Sequence, residues 1–115
     1  MAQPVELEMF KNRNVQMVVC GKQHTLFLID NQVWATGYNK DGQIGNGNTQ
    51  TVFKPIALRN LTSVFTISAW HSSAALTQTG DCYIWGQNNC LQPTKIHNKT
   101  FTNVKVGGNL TLFTD

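Results

Sequence analysis

The stretch CGKQHTLFLIDN-QVWATG, starting at Cys20, returns 48 residues later as SAWHSSAALTQTGDCYIWG, starting at Ser68, with one residue gained in the second turn. In this alignment Cys20 falls on Ser68, Gly21 on Ala69, Leu28 on Leu76 and Gly37 on Gly86. A third, shorter copy follows: VKVGGNLTLFTD sets Val106-Gly107 on Cys20-Gly21 and Thr111-Leu112-Phe113 on Thr25-Leu26-Phe27. A period near 50 residues with about four short strands per unit is the pattern of a propeller blade, a small sheet that buries its faces against neighbouring blades. A single blade cannot satisfy that burial alone.

Runs rich in Val, Ile, Thr, Phe, Tyr and Trp, separated by Gly, Asn and Asp, predict strands at about 15–20, 25–29, 33–36, 55–58, 64–69, 73–77, 81–85 and 104–107. No helical period persists long enough to name a helix. Turns are expected at 21–23, 30–32, 40–42 and 78–80, where Asp41-Gly42 and Thr79-Gly80 tolerate positive φ. The run Thr25–Ile29 is almost continuously apolar, so both faces of that strand must be covered. The expectation is an all-β chain: a partial β-propeller of about two four-stranded antiparallel blades. One propeller-type segment would span 1–115, with units at about 15–63 and 64–103 and a partial unit at 104–115.

The first unit resembles the regulator of chromosome condensation repeat, which places V-x-x-[IV]-x-C-G-x-x-H-[ST]-x-x-L ahead of V-[YW]-x-x-G-x-N and G-Q-[LI]-G-x-G. Val15, Cys20, Gly21, His24, Thr25, Leu28, Val33, Gly37, Asn39, Gly42, Gln43, Ile44, Gly45 and Gly47 fall on that pattern. The second unit departs from it: Ala69 stands where Gly is usual, the turn before His71 is short, and NNCLQPTKI replaces the G-Q-L-G loop. Either His71 or Ser72 takes the histidine position, depending on the gap, and Leu110 takes it in the third copy. The resemblance implies a structural role for Cys20, Gly21, His24, Gly37, Gly42, Gly45, Gly86 and Gly107, with the histidine ring bonding to nearby backbone at the inner turn. It also implies a ring of seven blades, of which this chain supplies an arc, so self-association or completion of a larger propeller is expected. Kelch repeats would need a recurring glycine pair with aromatic spacing, and WD repeats need Gly-His and Trp-Asp dipeptides, which are absent.

Candidate chemistry reads as architecture. Cys20 and His24 could pair as nucleophile and base, but their counterparts in the other units change identity, so they occupy a repeated structural slot. Cys20, Cys82 and Cys90 include no C-x-x-C and form no pair of close ligand pairs, so no metal site is expected. The glycine-rich Gly42–Gly47 lacks a Gly-Lys-Ser/Thr ending and a following helix, so it is not a phosphate cradle. Trp34 and Trp85 sit on strands where packing between blades is expected, and Trp70 is the tryptophan expected to be exposed.

Charged residues make up 13% of the chain and the net charge is +3, with the basic residues scattered singly, so nucleic-acid binding is not expected. No membrane span or leader pattern is visible, which places the chain in cytoplasm or nucleus with reduced thiols. The sequons at Asn60, Asn98 and Asn109 then carry no glycan. With no catalytic constellation and no cofactor expected, the reading is a protein–protein interaction module. Its partner-binding loops would carry Lys22, Gln23, Lys40, Asp41 and Trp70. The resemblance supplies an alternative, a guanine-nucleotide exchange factor, or part of one, for a small Ras-like GTPase.

Overall fold

The computed structural model describes residues 10–87, 90–96, 100–107 and 110–113. Two four-stranded antiparallel sheets follow one another along the chain. Blade 1 is built from β1 (Val15–Cys20), β2 (His24–Ile29), β3 (Gln32–Gly37) and β4 (Val52–Ala57), paired in chain order. Blade 2 repeats that order with β5 (Val64–Ala69), β6 (Ser73–Thr77), β7 (Cys82–Trp85) and β8 (Thr94–Lys95). A hairpin of β9 (Asn103–Val106) and β10 (Leu110–Phe113) begins a third blade. The arc of propeller expected from the repeat is the fold observed.

Turn chemistry sets the spacing. Asp30 and Asn31 both adopt positive φ, 52° and 63°, closing a two-residue hairpin between β2 and β3. Such a turn needs left-handed residues at both central positions, and Asn and Asp tolerate them best after Gly. The corresponding turn in blade 2 has three residues, Gln78–Gly80, with Gly80 at φ 92°. This is the extra residue the alignment places in the second turn.

The strand registers revise the rest of that alignment. Cys20 pairs with Thr25, and Ala69 pairs with Ser73, so Ala69, not Ser68, is the counterpart of Cys20. The turn between them is one residue shorter in blade 2, and Ser72 takes the place of His24. The 48-residue separation that puts Cys20 on Ser68 is one residue short at this strand, where backbone pairing gives 49. In the third unit Leu110 pairs with Val106 as Thr25 pairs with Cys20, which moves Leu110 out of the histidine position.

Strand boundaries differ from expectation by a residue at several ends, and β4 begins at Val52 instead of Pro55. Proline suits a strand start, but β4 is the last strand of its sheet, where a missing N–H costs no ladder bond, so Pro55 sits inside it. The two-residue β8, behind Pro93, is too short for alternation to reveal it, and β10 is a strand beyond those expected from the sequence. The sequons at Asn98 and Asn109 lie outside the described residues, and Asn60 is exposed.

Each blade has a front face, turned toward the following blade, and a back face. Leu26, Leu28, Val33 and Ala35 on the front of blade 1 form one core with Val64, Ile67, Ala75 and Trp85 of blade 2. Ile44 from the β3–β4 loop, and Leu58 and Leu61 from the link between blades, complete it. Ala74, Leu76 and Cys82 on the front of blade 2 pack against Phe101 and Val104. Phe27 and Ile29 on the back of blade 1 are covered by Phe10, whose ring lies 5.5 Å from Phe27 and edge-on to Trp34 at 5.1 Å. Both faces of the apolar strand are therefore buried, one by a blade and the other by a residue ahead of the first strand.

Candidate interaction face

Because β1, β3, β5 and β7 run in one direction, the segments that follow them emerge at one end of the arc. These are residues 21–23, 38–51, 70–72, 86–87 and 90–93, while the hairpin turns at 30–31 and 78–80 lie at the other end. Lys22, Gln23, Lys40, Asp41 and Trp70 are thus brought to the same end, and all five are exposed. The Lys22 amide donates to the Trp70 carbonyl at 2.8 Å, tying the inner turns of the two blades together. Trp70 is 42% exposed, with the His71 ring edge-on at 5.7 Å. Lys40, Asp41, Thr49, His71, Gln87 and Leu91 line a cleft of about 370 Å³ between the blade 1 loop and blade 2.

A polar lock holds this end rigid. The Gln43 carbonyl, in the β3–β4 loop of blade 1, accepts from Trp85 Nε1 and from Ser73 Oγ, both at 2.8 Å. The Ser73 hydroxyl has one hydrogen, so His24 Nε2, 2.8 Å from Ser73 Oγ, carries a proton and donates it to that oxygen. His24 Nδ1 is then the bare nitrogen, buried and without a partner. Burial pushes the imidazole pKa down to about 4, so the ring is neutral. The ring bonds to a side chain of the next blade and not to nearby backbone, which corrects the role inferred from the resemblance. Asn39, fully buried, fixes the same loop by accepting from the Ile44 amide and donating to the Asn48 and Gln50 carbonyls.

The glycines fall into place around this lock, with one exception. A Cβ on Gly21 would stand 2.6 Å from the Trp70 carbonyl oxygen and collide with the His24 ring. One on Gly45, at φ +85°, would stand 2.8 Å from the Trp85 indole. Gly37 and Gly86 lie against the Cα atoms of His24 and Ser72, and Gly42 against Leu91. A Cβ on Gly107 would meet nothing within 4 Å. Cys20 is exposed, whereas burial raises the Cys82 thiol to about 11. Among the described residues no group of three His, Cys, Asp or Glu side chains is placed to hold a metal ion. No helix of the described residues is long and apolar enough to cross a membrane.

Sequence reasoning missed Gln43 as the hub of the lock, because a backbone carbonyl leaves no trace in residue identity. The sequence marks Ser73 as a strand residue and Trp85 as a strand residue packed between blades, and neither reading reveals a bond to Gln43. Their shared signal was position, one at the start of β6 and the other beside the closing glycine.

Residues 30–75, from the first hairpin turn to the middle of β6, match the family described as "Regulator of chromosome condensation (RCC1) repeat". The chain belongs to the RCC1 repeat family. It is 33% identical over 92 residues to the human X-linked retinitis pigmentosa GTPase regulator, which covers 76% of this chain and 9% of that protein. It is 33% identical over 95 residues to a mouse RCC1-like G exchanging factor-like protein, 78% of this chain and 21% of that one. Among solved structures, that of Kap60 bound to yeast RCC1 (Prp20) superposes with a TM-score of 0.70 at 26% identity, over 82% of this chain and 28% of the other. The chain thus spans between about a tenth and a fifth of the length of these two relatives.

Proposed function

We propose that this RCC1-repeat arc is a non-catalytic protein-interaction module that engages its partner through the loop end. The observation that carries this reading is the collection of Lys22, Gln23, Lys40, Asp41 and Trp70 on one end of a locked scaffold. An exposed tryptophan among charged and polar side chains, held on rigid turns, has the composition of an interaction hot spot. The partner is a protein of the cytoplasm or nucleus. Nucleic acid is not favoured, since the end carries two lysines beside an aspartate and no basic stripe.

In-cell photo-crosslinking tests this. A photoreactive residue at position 70 should capture a discrete partner that is lost with Lys22→Glu, and one at Thr79, exposed in the hairpin turn at the opposite end, should capture none. Capture from position 79 alone would sink the reading.

A second reading, exchange-factor activity toward a small Ras-like GTPase, is supported by the GTPase-regulator and exchanging-factor relatives. Its test is release of labelled nucleotide from a panel of small GTPases. Acceleration that Trp70→Ala abolishes supports it, and no acceleration at micromolar protein removes it.

A further inference from the structure

Asn46-Gly47 is the one Asn-Gly dipeptide in the sequence. Glycine leaves its own amide nitrogen unshielded by a side chain, so this is the pair in which that nitrogen most readily attacks the preceding asparagine Cγ. In the loop of residues 38–51 the electrophile is activated. Asn39 Nδ2 donates at 3.2 Å to Asn46 Oδ1, the oxygen on which negative charge would develop. The nucleophile, by contrast, is withheld. The Gly47 amide donates across the seam to the Leu91 carbonyl at 2.9 Å, in a segment tied to blade 2 by the 2.8 Å bond from the Gly86 amide to the Cys90 carbonyl. Gly47 is exposed, so water already reaches the pair, and the cross-blade bond is what holds the nitrogen back.

We propose that Asn46 is a site of spontaneous deamidation, gated by closure of the seam between blades 1 and 2. When the loop lifts from blade 2, the Gly47 nitrogen gives its proton to solvent base and bonds to Asn46 Cγ. The Cγ–Nδ2 bond breaks, and the amide nitrogen leaves as ammonia with a proton taken from water. The cyclic imide that remains is opened by a second water at either carbonyl, giving aspartate or isoaspartate. The net change is one water in and one ammonia out, with no atom oxidised or reduced.

The two products act differently on the loop. Aspartate keeps the backbone and adds a carboxylate to a cleft of about 230 Å³ that Arg59 also lines, so the fold accommodates it. Isoaspartate routes the backbone through the former side chain, adding a methylene between two fixed points. On one side the Gly45 amide is bonded to the Gly42 carbonyl at 3.0 Å, and on the other Gly47 is bonded to Leu91. Gly45 has no room to shift toward the Trp85 indole, where even a Cβ would stand at 2.8 Å. The added length therefore breaks one of these contacts and loosens the hold of Gln43 on blade 2.

Peptide mapping by mass spectrometry tests this on the full chain aged in mildly alkaline buffer. Conversion of amide to acid at position 46 should be at least about tenfold slower in the folded chain than in urea, because only the opened fraction reacts. Ser73→Ala removes one cross-blade bond to Gln43 without touching 46–47, so it should speed both conversion and Gly47 amide exchange in the folded chain and leave the rate in urea unchanged. Asn46→Gln, whose longer side chain closes the ring far more slowly, should abolish the signal. The isoaspartate form, separated after ageing, should unfold at lower urea than Asn46→Asp, which should stay near the parent. Equal rates in the folded chain and in urea overturn the gating, and no conversion at position 46 in urea overturns the site. An isoaspartate form as stable as Asn46→Asp overturns the loosening of the loop.

Discussion

The two seams of the arc are built from equivalent strands yet are held differently. Between blades 1 and 2, the long loop of residues 38–51 inserts Ile44 into the core and offers the Gln43 carbonyl to two donors from blade 2. Between blade 2 and the hairpin, the described hydrogen bonds run from the Phe101 amide to the Gly80 carbonyl and from the Val106 amide to Ser68 Oγ. The second seam rests on a smaller cluster around Leu76, Cys82 and Phe101. Blade sheets supply the surface in both cases, and the long loop converts surface into a lock.

The comparison is broken most severely at Gly45. Alanine there adds a Cβ 2.8 Å from the Trp85 ring at a positive φ, combining overpacking with left-handed strain. A loss of about 5 kcal/mol is expected in a urea titration. Gly107→Ala, in open space, should stay within about 0.5 kcal/mol of the parent.

Leu28 and Leu76 are equivalent and fully buried, so they compare the seams directly. Leu28→Ala should cost about 4 kcal/mol and Leu76→Ala about 2, since the smaller cluster has more freedom to collapse. Equal or reversed losses would refute the ranking of the seams.

Acid should act on the first seam. The unfolded His24 takes a proton near pH 6.5, while the folded ring resists it down to about 4. Across that window the unfolded chain binds more protons, so stability falls as pH is lowered, by up to about 3 kcal/mol. Urea midpoints at pH 7 and 4.5 should show this loss, and His24→Gln should remove that part of the slope. Amide exchange should quicken in β6 at its contact with His24 and stay unchanged in β9.

The smallest effects concern single hydroxyls. Ser73→Ala deprives the buried His24 Nε2–H of its acceptor and Gln43 of one donor, about 2 kcal/mol. Ser68→Ala leaves only the part-buried Val106 amide without a partner, about 1 kcal/mol. Thermal melts of the two variants would order them.

Most of the architecture was legible in the repeat because a blade is a local unit: its strands are sequential and its turns short, so period and turn residues report it. His24, Gly21, Gly37 and Gly45 stood out because crowding at the seam restricts their identity. What lay hidden was geometry that crosses blades. The Ser73 hydroxyl and the Gln43 carbonyl become partners of His24 only when two sheets stack, and Phe10 covers Phe27 from a segment outside the repeat. The one-column error at Cys20 has the same origin, since turn lengths are set by pairing partners and not by the residues in the turn.

The bare Nδ1 of His24 also makes the seam visible spectroscopically. An imidazole held as a single tautomer, with its Nε2 hydrogen buried against a hydroxyl, has a pair of nitrogen resonances unlike those of the averaging solvent-exposed ring of His71. Its Nε2 hydrogen exchanges with water only when the blades part. That one resonance would report the opening rate of the propeller at a joint, with no label added and no residue changed.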